Sequence, residues 1–130
     1  MALRAKWSLR VDELPTRLAL GDTADGVQPV LVSLLIEGLA PDEPGRQEDC
    51  FDAAPVCDWI TGEWPKSAAT PLIETRVNQL LLFLFAHDKR VQNAWVALVR
   101  PDVPSRAARI TIERSASRSQ FQLRLRDSSR

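Results

Sequence analysis

The sequence contains no tyrosine, a single histidine and two cysteines among its 130 residues. A zinc site of several histidine and cysteine ligands cannot be assembled from His87, Cys50 and Cys57 unless carboxylates complete the set. A phenolic hydroxyl cannot serve as a catalytic acid or base, and an imidazole can do so only at His87. These absences argue against a metalloenzyme and against many common acid–base sites.

Neither sign of charge is in excess, and no apolar run is long. Lys plus Arg and Asp plus Glu both number 17, so no net field attracts nucleic acid or an anionic membrane. The longest apolar stretch, 80–86, is far shorter than the roughly 20 residues that span a bilayer. The N-terminal residues also lack the apolar core of an export signal. We therefore predict a cytoplasmic protein that binds neither nucleic acid nor membrane.

The composition is typical of a globular protein, with 45% hydrophobic and 26% charged residues, and the length suits one domain. Cys50 and Cys57 lie in a stretch that we interpret as helical, where a rise of about 1.5 Å per residue separates them by roughly 10 Å. That distance is too long for a disulfide. We expect two reduced, mostly buried thiols, with a reactive thiol pair as the alternative.

Two strands are predicted in the first third of the chain. Trp7, Leu9 and Val11 alternate with polar residues, a pattern that predicts a half-buried strand over 6–11. The apolar run over 30–39 has the valine and isoleucine content of a second strand. The intervening residues, 12–28, include the turn-forming run GDTADG and are expected to form a loop between two strands of a hairpin.

Two helices are predicted next. The first begins near Asp52, keeps Pro55 in its first turn and ends at Gly62. The second opens with Pro71, and its apolar residues recur at helical spacing. That stripe comprises Ile73, Val77, Leu80, Leu81 and Leu84, and it is widened by Leu82, Phe83 and Phe85. The wide stripe predicts a helix that is covered on more than one side, by an oligomer contact or by a long sheet. His87, near the end of this helix, is interpreted as a favourable C-terminal cation.

Two more strands complete the order ββααββ. The segment 91–100 is apolar on both faces, and 107–113 alternates around Ile110 and Ile112. The final segment, 117–130, is interpreted as either an added edge strand or a tail. This order predicts an α+β fold in which an antiparallel four-stranded sheet carries both helices on one face. Because the uncovered face is apolar, we also expect a closed homo-oligomer.

The sequence, in this order of strands and helices, resembles that of dihydroneopterin aldolase. The similar stretches are PLIETRVNQLLLFLFAHDKRVQNAWVALVRPDVPSRAARITIER and, more loosely, LALGDTADGVQPVLVSLLI and DCFDAAPVCDWI. They cover roughly residues 7–114, and the division that follows is a dihydroneopterin aldolase-like domain over 1–116 with a C-terminal segment over 117–130. The resemblance implies the tunnelling fold, or T-fold, in which several subunits join their sheets into a barrel, and a tetramer or octamer with pterin sites at the subunit interfaces.

The resemblance also implies a reaction, a retro-aldol cleavage of 7,8-dihydroneopterin that releases glycolaldehyde and uses neither a metal nor another cofactor. Glu74 matches the family glutamate that binds the 2-amino group and adjacent ring N–H of the pterin, and Ile73 matches the apolar residue before it. Independently, a carboxylate offers two coplanar acceptors to two parallel donors, and the first turn of a helix favours its ionised form. The alternative is a surface glutamate that stabilises the helix start.

The catalytic positions depart from the family pattern. Arg100 stands before Pro101 where the family has lysine, and a guanidinium cannot shuttle a proton at ordinary pH. The family tyrosine falls near Ala53. A family glutamine matches Gln28, but the family loop glutamate has no clear counterpart near Asp22 and Asp25. Arg100 is therefore a doubtful catalytic residue that could still hold a charged or carbonyl-bearing ligand, or could simply lie in solvent.

Three functions follow from these departures. The first is an aldolase-like enzyme of reduced-pterin synthesis, of the folate or methanopterin type, with weakened chemistry. The second is a T-fold protein that binds a pterin or purine-like ring without turnover. The third is a structural assembly subunit that has lost its ligand site. In the first two, Glu74, Ile73 and Ala53 are the predicted ligand-binding residues.

Overall fold

The alternating strands of the sequence form one antiparallel sheet with the order β1-β2-β3-β4. The computed structural model describes residues 3–20, 26–70, 72–101 and 109–122. Its strands are β1 (Arg4–Ala19), β2 (Val27–Pro41), β3 (Val91–Arg100) and β4 (Ile110–Ser117). Helices α1 (Ala53–Asp58) and α2 (Ile73–His87) lie between β2 and β3 in the chain. The predicted ββααββ order, with the helices against one face of the sheet, is confirmed.

β1 is much longer than predicted. A bulge shifts the alternation of apolar and polar residues by one position, so the sequence pattern breaks where the strand continues. Val11 pairs with Leu34 and Leu14 pairs with Val32, so β1 has one extra residue between these pairs. Glu13, inside the bulge, has a φ of 53° and donates its backbone N–H to Ser33. Helix-facing residues therefore change from odd to even numbers along the strand. The expected loop over 12–28 is wrong for residues 12–19, and residues 21–25 lie outside the described part.

β2 and β3 form the centre of the sheet and bury their even-numbered side chains against the helices. Val32, Leu34 and Val96 are among the buried residues, while Leu35 and Trp95 point to the opposite face and are only partly covered. The two faces of these strands are thus both apolar, as the sequence indicated. The outward face has no covering layer within the described residues.

α1 begins where the sequence predicted, because the Asp52 carboxylate accepts a hydrogen bond from the backbone N–H of Ala54 at 3.0 Å. Gly62 does not end the helix. It lies inside a π-helical segment, Trp59–Glu63, that continues α1 and leads into a short 3₁₀ turn, Trp64–Lys66. This continuation places the Trp59 ring 4.1 Å from that of Phe83. The wide apolar stripe of α2 is therefore covered partly by the chain's own Trp59.

α2 presents its core stripe to the sheet through Val77, Leu80, Leu81, Leu84 and Phe85, all of them buried. It begins at Ile73, and Pro71 lies outside the described residues. His87 is its last residue, and the His87 ring stacks on Phe83 with 5.4 Å between centroids. No helix in the described ranges is long and apolar enough to cross a membrane.

The C-terminal segment was expected to be an added edge strand or a tail, and its described residues after Ser117 form neither. β4 extends to Ser117, four residues beyond the predicted end, and residues 118–122 form a helical turn. Phe121 in this turn is 1% exposed and its ring lies 5.6 Å from that of Phe85. Burying such a side chain contributes about 1.5–3 kcal/mol, which explains why the segment folds back onto the core. Residues 102–108 and 123–130 lie outside the described part.

Candidate functional site

The end of β1, the start of β2 and the end of β3 lie at one end of the sheet, and the beginning of α2 lies beside the end of β1. Leu20 and Thr70 form an isolated bridge that joins the end of β1 to the residues preceding α2. β1 ends opposite the start of β2, where Ala19 pairs with Val27, and Arg100 ends β3 beside the same part of β2. This region is called the α2 corner below.

Glu74 lies in the first turn of α2 at this corner and is exposed. None of the described residues forms a hydrogen bond or ion pair with its carboxylate. Ile73, the first residue of α2, is partly buried and packs against the core. Leu72 precedes it and is 55% exposed. In the described part of the chain, the corner therefore presents a carboxylate without a partner beside an exposed apolar side chain.

No side chain of residues 3–20, 26–70, 72–101 or 109–122 caps the start of α2. Leu72 occupies the N-cap position and carries no side-chain acceptor, so it cannot bind the first N–H groups of the helix. Thr75 donates its N–H to the Leu72 carbonyl at 3.2 Å, while the N–H groups of Ile73 and Glu74 have no helical partner. The corner thus combines main-chain donors with a carboxylate acceptor.

Arg100 is half-buried at the same corner, and its Nη2 donates a short hydrogen bond to Gln28 Oε1. Both residues have even numbers on their strands, and even-numbered side chains of β2 and β3 point toward the helices. Arg100 and Gln28 therefore lie on the same side of the sheet as the start of α2. The structure brings Arg100 into contact with Gln28, and it places Ile73 and Glu74 in the first turn of α2 at the same end of the sheet. Asp22 and Asp25 lie outside the described residues.

Ala53, the remaining candidate, lies at the opposite end of the sheet. It follows Phe51, whose ring centroid is 5.1 Å from the Arg90 guanidinium, and Arg90 immediately precedes β3. Arg100 ends that ten-residue strand, which spans roughly 30 Å at about 3.3 Å per residue. Within one chain, Ala53 and the α2 corner therefore cannot contact the same small molecule.

The residue that sequence reasoning missed is Arg76, which is fully buried beneath the α2 corner. Its Nη2 donates to the carbonyls of Ala19 at 2.9 Å and Ala68 at 3.2 Å. Its Nη1 donates to Ser67 Oγ and to Gln79 Oε1. Burial lowers the pKa of this guanidinium, although an arginine side chain remains protonated at neutral pH. The sequence does contain a signal for this burial, because Arg76 lies one helical turn before Leu80, on the apolar stripe of α2.

The hydrogen bonds of Arg76 continue into the preceding segment. Gln79 Oε1 also accepts from Trp64 Nε1 at 2.9 Å, and Ser67 Oγ donates to the Trp64 carbonyl at 2.6 Å. Arg76 Nε has no hydrogen-bond partner in the described part of the chain. No carboxylate among the described residues pairs with this guanidinium. Arg76 is thus a buried cation bound by neutral oxygens of three separate segments.

Comparison with solved structures identifies the fold. A protein from Vibrio cholerae assigned as a dihydroneopterin aldolase has a TM-score of 0.65 at 16% identity, over 84% of this chain and 97% of that chain. The Escherichia coli dihydroneopterin aldolase in complex with neopterin has a TM-score of 0.66 at 18% identity, over 82% and 97% of the two chains. A Burkholderia dihydroneopterin aldolase bound to guanine has a TM-score of 0.66 at 17% identity, over 86% and 91%.

No family model matches the chain, and no curated protein matches it in sequence. At these identities the structural likeness shows the fold alone. The expected T-fold subunit is confirmed, and it extends over nearly the full length of each of the three structures.

Proposed function

We propose that this chain binds a reduced pterin, or a purine-like ring of the same hydrogen-bonding pattern, at the α2 corner with Glu74 as the anchor. The observation that carries the proposal is the exposed Glu74 carboxylate, which has no partner among the described residues, in the first turn of a helix whose N-cap residue is Leu72, on the fold of neopterin- and guanine-bound aldolases. Leu72 and Ile73 supply an apolar surface beside it.

The chemistry of the ring edge supports this assignment. Neopterin and guanine both present an amino group, an adjacent ring N–H and a carbonyl along one edge. The Glu74 carboxylate accepts the two donors in a bidentate, charge-assisted arrangement, and an N–H of the α2 first turn donates to the carbonyl. This pattern distinguishes a pterin from a ring that lacks the amino group, because one carboxylate oxygen of Glu74 would then lose its partner.

The position of Ala53 supports an assembly of several copies. A site that uses both Glu74 and Ala53 requires two chains, since one chain places them at opposite ends of its sheet. The outward face of the sheet carries Leu35 and Trp95, and both β1 and β4 are edge strands without a partner in the described chain. A ring of copies, four or eight in number, would pair these edges and cover this face.

Retro-aldol chemistry is proposed to be weak. The chain has no tyrosine, and Arg100 remains a permanent cation where proton transfer needs a group that titrates. Loss of one general acid or base costs a factor of about 10² to 10⁴ in rate. Arg100 is instead proposed to hold the substituent of the ring, oriented by Gln28. A place in folate or methanopterin synthesis and a cytoplasmic location are part of the same proposal.

The test is a titration of neopterin against tryptophan fluorescence. Trp64 is linked through Gln79 to Arg76 beneath the α2 corner and provides a reporter. Glu74→Gln removes the charge while it keeps the size, and it should weaken binding by about 10- to 100-fold, since hydrogen bonds to charged groups contribute about 1.5–3 kcal/mol.

Glu113→Gln is the matched control. Glu113 is an exposed glutamate on β4, paired with Ala97, and it lies on the sheet face away from the helices. This variant should bind neopterin as the wild type does. The absence of saturable quenching in the wild type would reject pterin binding, and equal affinities for the two glutamine variants would reject Glu74 as the anchor.

A further inference from the structure

Burying Arg76 is energetically unfavourable. It is 0% exposed and carries a charge that no carboxylate in the described residues compensates. Its Nε has no hydrogen-bond partner in the same part of the chain. Burying such a group is unfavourable unless its bonds are needed where they are. The reason for Arg76 must therefore be sought in the segments that its guanidinium joins.

Those segments all surround the start of α2. Ala19 ends β1, Ser67 and Ala68 belong to the connection before α2, and Gln79 lies one turn farther along α2. The Leu20–Thr70 bridge also joins the end of β1 to the connection before α2. One guanidinium thus fixes the beginning of α2 against the end of β1 and against the connection. A planar group with five donors spread over three nitrogens suits this task, while an ammonium has only three donors, all on one nitrogen.

We infer that Arg76 is the positioning residue of the α2 corner. The inference rests on the proposed function: Arg76 touches no ligand, and it acts by holding the first turn of α2, which carries Glu74 two residues earlier. An anchor that makes two parallel hydrogen bonds tolerates little displacement of its helix turn, because both bonds depend on one orientation of the carboxylate.

The experiment compares Arg76→Lys with Arg118→Lys. Arg118 is a matched control, because its guanidinium also binds backbone carbonyls, those of Val91, Phe85 and Asp88, but at the other end of α2. Both variants keep the charge and lose the planar group, so both should lower stability. Only Arg76→Lys should weaken neopterin binding, by about tenfold.

A double-mutant cycle separates positioning from a general loss of stability. In the wild type, Glu74→Gln weakens binding by the 10- to 100-fold given above. In the Arg76→Lys background it should weaken binding by less than about threefold, because the carboxylate is already displaced. In the Arg118→Lys background the full effect of Glu74→Gln should remain. Independent, additive effects of Arg76→Lys and Glu74→Gln would overturn the inference.

Amide hydrogen exchange tests the same inference without a ligand. Arg76→Lys should accelerate exchange in 72–76 and at Leu20, and Arg118→Lys should accelerate it at Asp88 and Val91 instead. Ser67→Ala removes one acceptor of Arg76 and should produce a smaller acceleration over 72–76, which covers the case in which Arg76→Lys does not fold. Unchanged exchange over 72–76 in these variants would refute the positioning role even if the wild type binds no neopterin, an outcome that by itself rejects only the proposed function.

Discussion

The two cysteines differ in exposure, and this difference should appear in their rates of alkylation. Cys50 is exposed in front of α1, and Cys57 is partly covered within it. Burial, together with the neighbouring Asp58 carboxylate, raises the pKa of the Cys57 thiol. Both thiols are free, as expected, but the prediction that they are mostly buried is wrong, because α1 begins after Cys50.

We expect iodoacetamide to alkylate Cys50 faster than Cys57 at pH 8. A raised pKa leaves a smaller thiolate fraction at that pH, and the thiolate is the nucleophile. The rate at Cys57 should continue to rise at higher pH. Mass spectrometry of the two peptides measures both rates, with urea-unfolded protein as the control in which they converge. Equal rates in the folded protein would contradict the environment described for Cys57.

Among single residues, the position of Glu74 was easier to predict from the sequence than the burial of Arg76. Glu74 was identified from its place at a helix start and from a family resemblance, and the structure places it in the first turn. Arg76 was missed although its position on the apolar stripe indicated burial. Charge usually indicates exposure, and only the three-dimensional arrangement shows the oxygens of Ala19, Ser67, Ala68 and Gln79 that make burial possible.

At the scale of elements, the close approach of β2 to the start of β3 depends on Gly38. A Cβ at this position would collide with the Arg90 carbonyl oxygen and lie 2.9 Å from Phe51 Cζ. Backbone on one side and a ring on the other leave no flexible group to move aside. Gly38 thus allows the contact that holds the residues before α1 against the sheet.

Gly38→Ala should lower the free energy of unfolding by about 3 kcal/mol, because overpacking forces the backbone apart. Gly62→Ala is the counterpart, since a Cβ there meets no atom of the described residues within 4 Å and Gly62 lies in helical backbone. Alanine should raise the free energy of unfolding by up to about 1 kcal/mol at that position. Urea denaturation measures both values. A neutral Gly38→Ala would show that this contact is looser than described.

Element order was predictable from the sequence, and element boundaries were not. Helix starts were found because Asp52 is a chemical signal that acts locally. The length of β1 was not, because the bulge at Glu13 shifts the alternation by one residue and makes a continuous strand look like a strand followed by a loop. The helical turn over 118–122 was also missed, since only contact with Phe85 explains the burial of Phe121.

For the whole molecule, the outward sheet face predicts association. We expect light scattering to give a mass that is four or eight times 14.5 kDa. Trp95→Glu should lower that mass, because it places a charge in the apolar centre of the face. Ala86→Glu, at an exposed position of α2 on the helix layer, should leave the mass unchanged. A monomeric wild type would contradict the predicted homo-oligomer.

A crystal structure of the protein with neopterin measures most directly where a bound ring lies. We predict that both Glu74 carboxylate oxygens lie about 2.7–2.9 Å from the amino and ring nitrogens, with Ala53 of a second copy beside the ring. Neopterin bound away from the α2 corner, or a Glu74 side chain in solvent with the ring elsewhere, would contradict the account.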